Sequence, residues 1–146
     1  MTYTAEAARS RYAGDQLETA SGTRIILLCF DRLDRDLAQA GSAIERSDHC
    51  AANSALAHAQ DLLSELATML DLQAWEHAGA LLSIYDYLLR LLPVANATTS
   101  EALVREAAGI VGEIGAAFRI AADTPAEHPS DSVPPDGTPR RFSFDA

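Results

Sequence analysis

The stretch Gly79-Ala80-Leu81-Leu82-Ser83-Ile84-Tyr85-Asp86-Tyr87-Leu88-Leu89-Arg90-Leu91-Leu92-Pro93-Val94-Ala95-Asn96 decides how this chain is read. Its polar positions, Ser83, Asp86 and Arg90, fall with Gly79 and the upstream Glu76 on one narrow strip at helical spacing. At 100° per residue the back of that strip is Leu81, Tyr85, Leu88 and Leu92. Two apolar flanks remain beside it, Ile84/Tyr87/Leu91 and Trp75/Leu82/Leu89. A surface helix needs a single apolar stripe, so this one has more apolar surface than its own core requires. The spacing predicts a helix from Ala74 to Asn96 that Pro93 kinks or ends, because proline removes a backbone donor and clashes one turn back.

Working outward, three more segments carry the same period. Ser21 reads as an N-cap, followed by Ile26, Phe30, Leu33, Leu37, Ala40 and Ile44 at spacings of three and four. Their opposite face holds Asp31, Arg32, Asp34, Arg35 and Asp36, which reads as a solvated surface. A second helix, Ala52 to Asp71, places Leu56, Ala59, Leu63, Leu66 and Leu70 in one row. A fourth begins at Thr98-Thr99-Ser100-Glu101, where Thr98 and Glu101 have capping-box spacing, and runs through Leu103, Ala107, Ile110, Ile114, Ala117 and Ala121. Val104, Val111 and Phe118 form a second row on it, and Gly109, Gly112 and Gly115 predict close packing on a neighbouring helix.

Four amphipathic helices with short connections make an all-α, antiparallel four-helix bundle. Residues 1–20 are aperiodic and read as an extended N-terminal arm with isolated apolar points at Tyr3, Tyr12 and Leu17. Five of the six prolines lie beyond residue 122, so 123–146 reads as a disordered Pro/Asp-rich tail and 21–122 as the bundle domain. At 146 residues one such domain buries an adequate core without disulfides or metals.

Composition narrows the function. A net charge of −10 argues against nucleic acid and anionic membrane as partners, since both demand a cationic patch. No apolar run approaches the ~20 residues of a membrane span, and Met1 to Ser21 lacks the apolar region of a secretory signal. A cytoplasmic address is therefore expected. Cys29 and Cys50 read as reduced thiols, one a small hydrophobe in a helix and one in a turn.

The four histidines, His49, His58, His77 and His128, are scattered, and the paired Glu-x-x-His motifs of di-iron bundles do not occur. No G-x-S-x-G, P-loop or G-x-G-x-x-G occurs either, so no metal, cofactor or catalytic residue is assigned and the chain reads as a non-enzyme. The alternative is a histidine phosphotransfer module, likewise a four-helix bundle, with His58 as its only candidate. Asp61 lies close behind His58, where a carboxylate would repel a phosphoryl group, so a solvent-facing histidine is the simpler account.

Several stretches resemble the FliS family of flagellar secretion chaperones. They are Tyr12-Ala13-Gly14-Asp15-Gln16-Leu17-Glu18-Thr19-Ala20-Ser21 with Ile25-Ile26-Leu27-Leu28-Cys29-Phe30-Asp31, then Ala43-Ile44-Glu45 with Asp48. Ala59-Gln60-Asp61-Leu62-Leu63-Ser64-Glu65-Leu66 and Ile84-Tyr85-Asp86-Tyr87-Leu88-Leu89-Arg90 with Ala95-Asn96 complete the likeness, which covers about residues 12 to 122. It implies a four-helix chaperone of flagellar type III export that holds the disordered C-terminal segment of flagellin and prevents premature polymerisation. It further implies contact with the export gate, and an N-terminal arm, here Tyr12 and Leu17, able to lie over the apolar surface. Arg9 stands where the family has the first of two aromatics, and Gly22 where it often has proline.

The two lines of argument meet on the third helix. A partner groove on one of its flanks, drawn from Ile84, Tyr87 and Leu91 or from Leu82, Leu89 and Trp75, accounts for its excess apolar surface. Homodimerisation through the same surface is the competing account.

Overall fold

A computed structural model of the chain describes the backbone of residues 5–124 and the side chains of residues 22–124. These residues form four helices: α1 (Ala5–Glu45), α2 (His49–Thr68), α3 (Ala78–Thr98) and α4 (Glu101–Asp123). They pack as a ring, α1 against α2 and α4, and α3 against α2 and α4, while the diagonal pairs do not approach closely. The antiparallel four-helix bundle expected from periodicity is the fold observed.

Two of the three connections use the same device. After α1, Ser47 takes a left-handed conformation (φ 58°), its amide donates to the Ile44 carbonyl (3.0 Å) and the Asp48 amide to that of Ala43 (2.8 Å). After α3, Thr99 does likewise (φ 46°), with Thr99 donating to Asn96 (3.3 Å) and Ser100 to Ala95 (3.0 Å). This paired closure satisfies the last carbonyls of a helix. In each case the next residue caps the following helix: Asp48 Oδ1 accepts from the Ala51 amide (3.0 Å), and Ser100 Oγ from that of Leu103 (3.2 Å). Chain reversal thus takes only a few residues, which sets consecutive helices side by side.

The core is one cluster. Phe30, Leu33, Leu37 and Ala40 from α1 meet Leu56, Ala59, Leu63 and Leu66 from α2, Leu81, Tyr85, Leu88 and Leu92 from α3, and Val104, Ala107 and Val111 from α4. The back of the α3 strip is therefore core, as its angular position predicts. Tyr85 is its largest member, and burial, followed by the nearby Cys29, pushes its phenol up to about 12. Cys29 is half-buried against this cluster, and burial, then Glu65, pushes its thiol up.

Polar links tie each seam of the ring. Asp36, buried on α1, takes a short hydrogen bond from His58 Nδ1 on α2 and a second from Arg32 Nε (3.2 Å). Asn96 on α3 donates to Asn53 on α2 (2.7 Å), and Tyr87 on α3 to Glu106 on α4 (2.7 Å). Arg119 on α4 donates to Asp31 on α1 (2.5 Å) and lies 3.6 Å from Asp34.

The structure corrects several expectations. Helix α1 begins at Ala5 and passes through Ser21, so Ser21 is not a cap and residues 5–20 are helical rather than extended. Ala5, Glu6, Ala7, Ala8, Gln16, Leu17 and Glu18 are good helix formers with no proline among them, and continuing the helix costs less than a new start at Ser21. Asp36 is buried, not part of the solvated face, because two cationic or donor groups compensate it. Helix α2 starts earlier, at His49 under the Asp48 cap, so the exposed Cys50 lies in its first turn.

Helix α3 starts later than expected, at Ala78. Asp71 accepts from the Gln73 amide through its side chain (2.9 Å) and from Ala74 through its carbonyl (3.3 Å), which turns the chain before the helix can form. Pro93 neither ends nor stops α3, which runs to Thr98; Pro93 is exposed, and water can reach the carbonyl it leaves undonated. Thr98 is consequently the last residue of α3, and Ser100, not Thr98, caps α4. By length and composition α3 could also cross a membrane, contrary to the sequence reading, but that apolarity is used to bury the Leu81, Tyr85, Leu88 and Leu92 row among the other helices. Of the α4 glycines only Gly115 is closely packed, its missing Cβ 3.5 Å from Phe30 Cβ, while Gly109 and Gly112 face open space. The tail reading, apart from its first residues, lies outside the described residues.

Two outcomes test this packing. Tyr85→Ala should destabilise the bundle by roughly 3 kcal/mol or more, read from urea unfolding, as aromatic truncations in cores do. Thr99→Gly should stabilise it by about 1 kcal/mol, because glycine removes the left-handed Cβ penalty that a β-branched residue carries there.

Candidate functional site

Small residues facing large ones leave a hollow where α3 meets α4. An apolar groove of about 310 Å³ lies there, lined by Trp75, His77, Ala80, Leu81, Ile84, Ile114, Ala117, Phe118 and Ala121. It occupies the first half of α3 and the last three turns of α4, as antiparallel helices require. Ala80, Ala117 and Ala121 provide the space, and Ile84, Ile114 and Trp75 form the walls. Phe118 is supported from below by the buried Phe30, with ring centroids 5.4 Å apart and planes tilted by 30°.

Trp75 reaches the groove from the α2–α3 connection. Its indole stands edge-on to the His77 ring (5.7 Å, 77°), and Met69 and Leu72, earlier in the same connection, are also exposed. On the other side the Tyr87–Glu106 hydrogen bond ties α3 to α4, and that bond, more than burial, raises the Tyr87 phenol above its ordinary value. The α3–α4 seam is the most sparsely packed of the four. The groove is the part of it that no side chain fills.

The structure divides the residues singled out from the sequence. Ile84 and Trp75, assigned to opposite flanks by helical angle, come together in this groove because Trp75 belongs to the connection and not to α3. Tyr87 does not line the groove; it is 40 % exposed and engaged with Glu106. Leu89 and Leu91 pack against the core cluster and are not free flanks, and Leu82 is half-buried outside the groove. The side chains of Tyr12 and Leu17 lie outside the described residues; both positions are in α1.

What sequence reading missed is the α4 half of the site. Ile114, Ala117 and Ala121 stand in the row read as the apolar stripe of this helix, whereas the buried positions of α4 are Val104, Ala107, Val111 and Gly115, with Ile114 only partly buried against the core. The signal was present: α4, like α3, carries two apolar rows where a bundle helix needs one.

Chemistry of other kinds is thin. Among the described residues no three His, Cys, Asp or Glu side chains cluster at metal-binding distance. His58 is not the free surface histidine expected from the sequence: its ring is half-exposed, but Nδ1 is held by Asp36. The arrangement offers a cleft for apolar side chains, with the exposed Glu76 and Glu113 next in sequence to its lining residues and Glu76 3.5 Å from His77 Nε2.

Among curated proteins no relative matches this chain. The family described as flagellar protein FliS matches it over residues 4–125, which contain the whole described helical region. The chain belongs to the FliS family.

Proposed function

We propose that this chain is a cytoplasmic export chaperone that binds the disordered C-terminal segment of flagellin, prevents its premature polymerisation and assists flagellar type III secretion. The observation that carries the reading is the open apolar groove between α3 and α4 in a chain of this family. A disordered segment that folds on binding must bury enough apolar area to exceed its ordering cost, and an amphipathic helix laid along Ile84, Ile114 and Phe118 does so. The groove spans about two helical turns, roughly 10–12 Å, and a longer contact has the exposed Met69 and Leu72 of the connection that carries Trp75 to extend onto. Delivery to the export gate is the step that such capture serves.

One observation favours a second reading. His58 is half-exposed and oriented through Nδ1 by Asp36, which leaves Nε2 as the nitrogen a phosphotransfer histidine would use. Against it, the buried Asp36 carboxylate touches the ring, and Asp61 stands one turn away. Incubation with a phosphoryl donor separates the two, and no acid-labile phosphate on His58 is expected.

Co-purification with flagellin from the same organism is the first test, with calorimetry expected to give a negative heat-capacity change. Ile84→Asp should leave the free bundle folded and weaken flagellin binding by more than about tenfold, since the complex must bury an unpaired carboxylate. Leu82→Asp, outside the groove, should bind nearly as the parent does. Normal binding by Ile84→Asp with lost binding by Leu82→Asp would move the site to the other side of α3.

A further inference from the structure

We propose that the C-terminal tail of this chain folds back and seats Phe142 and Phe144 in the α3–α4 groove, as a cover that a partner must displace. The argument starts where the described chain ends. Helix α4 runs to Asp123, and Thr124 turns out of the helix into an extended conformation (φ −79°, ψ 123°), as a residue before proline does. Ala121, which lines the groove, is three residues earlier, about 4–5 Å along the axis. The tail is therefore released at the mouth of the groove and directed off the helix axis.

Residues 125–146 carry little that is apolar and bulky except Phe142 and Phe144. In an extended segment these two positions project to the same side, which suits a one-sided groove. The intervening 17 residues have a coil dimension of roughly 20–25 Å, ample for return to a site a few ångströms from the origin. Tethering at this length gives an effective concentration in the mM range, so even a contact of mM affinity is about half engaged.

Charge points the same way. Arg140 and Arg141, the only basic residues of the tail apart from His128, directly precede Phe142. The groove is flanked by the exposed Glu76, between the lining residues Trp75 and His77, and by Glu113, next to Ile114. The nearby cation Arg119 is turned to Asp31 and Asp34 and does not oppose the tail. The N-terminal residues are a poorer occupant, because from Ala5 onward they are committed to α1 and would have to break that helix to reach over.

As control of partner capture the cover rests on the function proposed above; the docking itself does not. A cover engaged in about nine molecules of ten weakens the partner's apparent affinity about tenfold.

Trp75, the only tryptophan, lines the groove and reports its occupancy without any partner. In the full chain, the double variant Phe142→Ser with Phe144→Ser should shift Trp75 emission to the red and increase its quenching by acrylamide, with helicity unchanged. Identical emission and quenching in parent and variant would overturn the proposal. So would emission that moves with protein dilution or with deletion of residues 1–18 but not with the double variant, since the groove would then hold a second copy or the N-terminal segment. The variant should also bind flagellin more tightly than the parent. Emission that shifts while neither protein binds flagellin would leave the docking standing and sink the function proposed above.

Discussion

The burial of Tyr85 with Leu81, Leu88 and Leu92 is the constraint from which the rest of the structure follows. In a ring of four helices without diagonal contact, α3 is sheltered on two sides only, by α2 and α4. Its core row is satisfied by that arrangement, and its flanks are satisfied only as far as each neighbour is close. Leu89 and Leu91 are covered; Ile84 is not, because α4 presents alanines there. The groove is thus a consequence of side-chain size on α4 as much as of apolar excess on α3.

The seams show how such a bundle keeps one register while leaving a face open. Apolar packing in a four-helix bundle fixes which face of a helix turns inward but is only weakly directional, so a misplaced polar group penalises small rotations more sharply than apolar side chains do. Here each seam has one: Asp36 with His58, Asn53 with Asn96, Tyr87 with Glu106, and Arg119 with Asp31. Exposed links of this kind add little stability, whereas Asp36, buried with two partners, imposes a penalty on any rotation that strips it. A hypothesis follows that these links specify the orientation of α3 and α4 and hence the shape of the groove.

The fold was legible in the sequence because three- and four-residue spacing survives any error in helix ends. Phe30, Leu33 and Leu37, or Leu56, Leu63 and Leu66, identify their inward face whether or not the cap is placed correctly. Ends were less legible. Ser21 had the chemistry of a cap, but the helix-forming residues before it decided the outcome, and Asp71 delayed α3 through a side-chain turn that periodicity cannot register. The site was half legible: Ile84 and Trp75 were identified, but their meeting depends on the path of the connection, and the α4 half looked like core because its alanines are apolar at the right spacing. Whether an alanine fills space or leaves it depends on what stands opposite, which a single sequence does not contain.

The tight turn at Thr99 and Ser100 has a mechanical consequence. Helices α3 and α4 are joined there by a closure with no slack, and the groove lies toward their opposite end, so the pair resembles jaws hinged far from the bite. Helix α3 provides a lever of about 30 Å, and a rotation of about 5° at the pivot moves its tip by about 2.5 Å. The α2–α3 connection, residues 69–77, is the longest of the three connections in the described bundle and stands at the tip of that lever. Trp75 sits in it, so one wall of the groove is carried by the connection and not by either helix, and it can shift without disturbing the core row of Leu81, Tyr85 and Leu88.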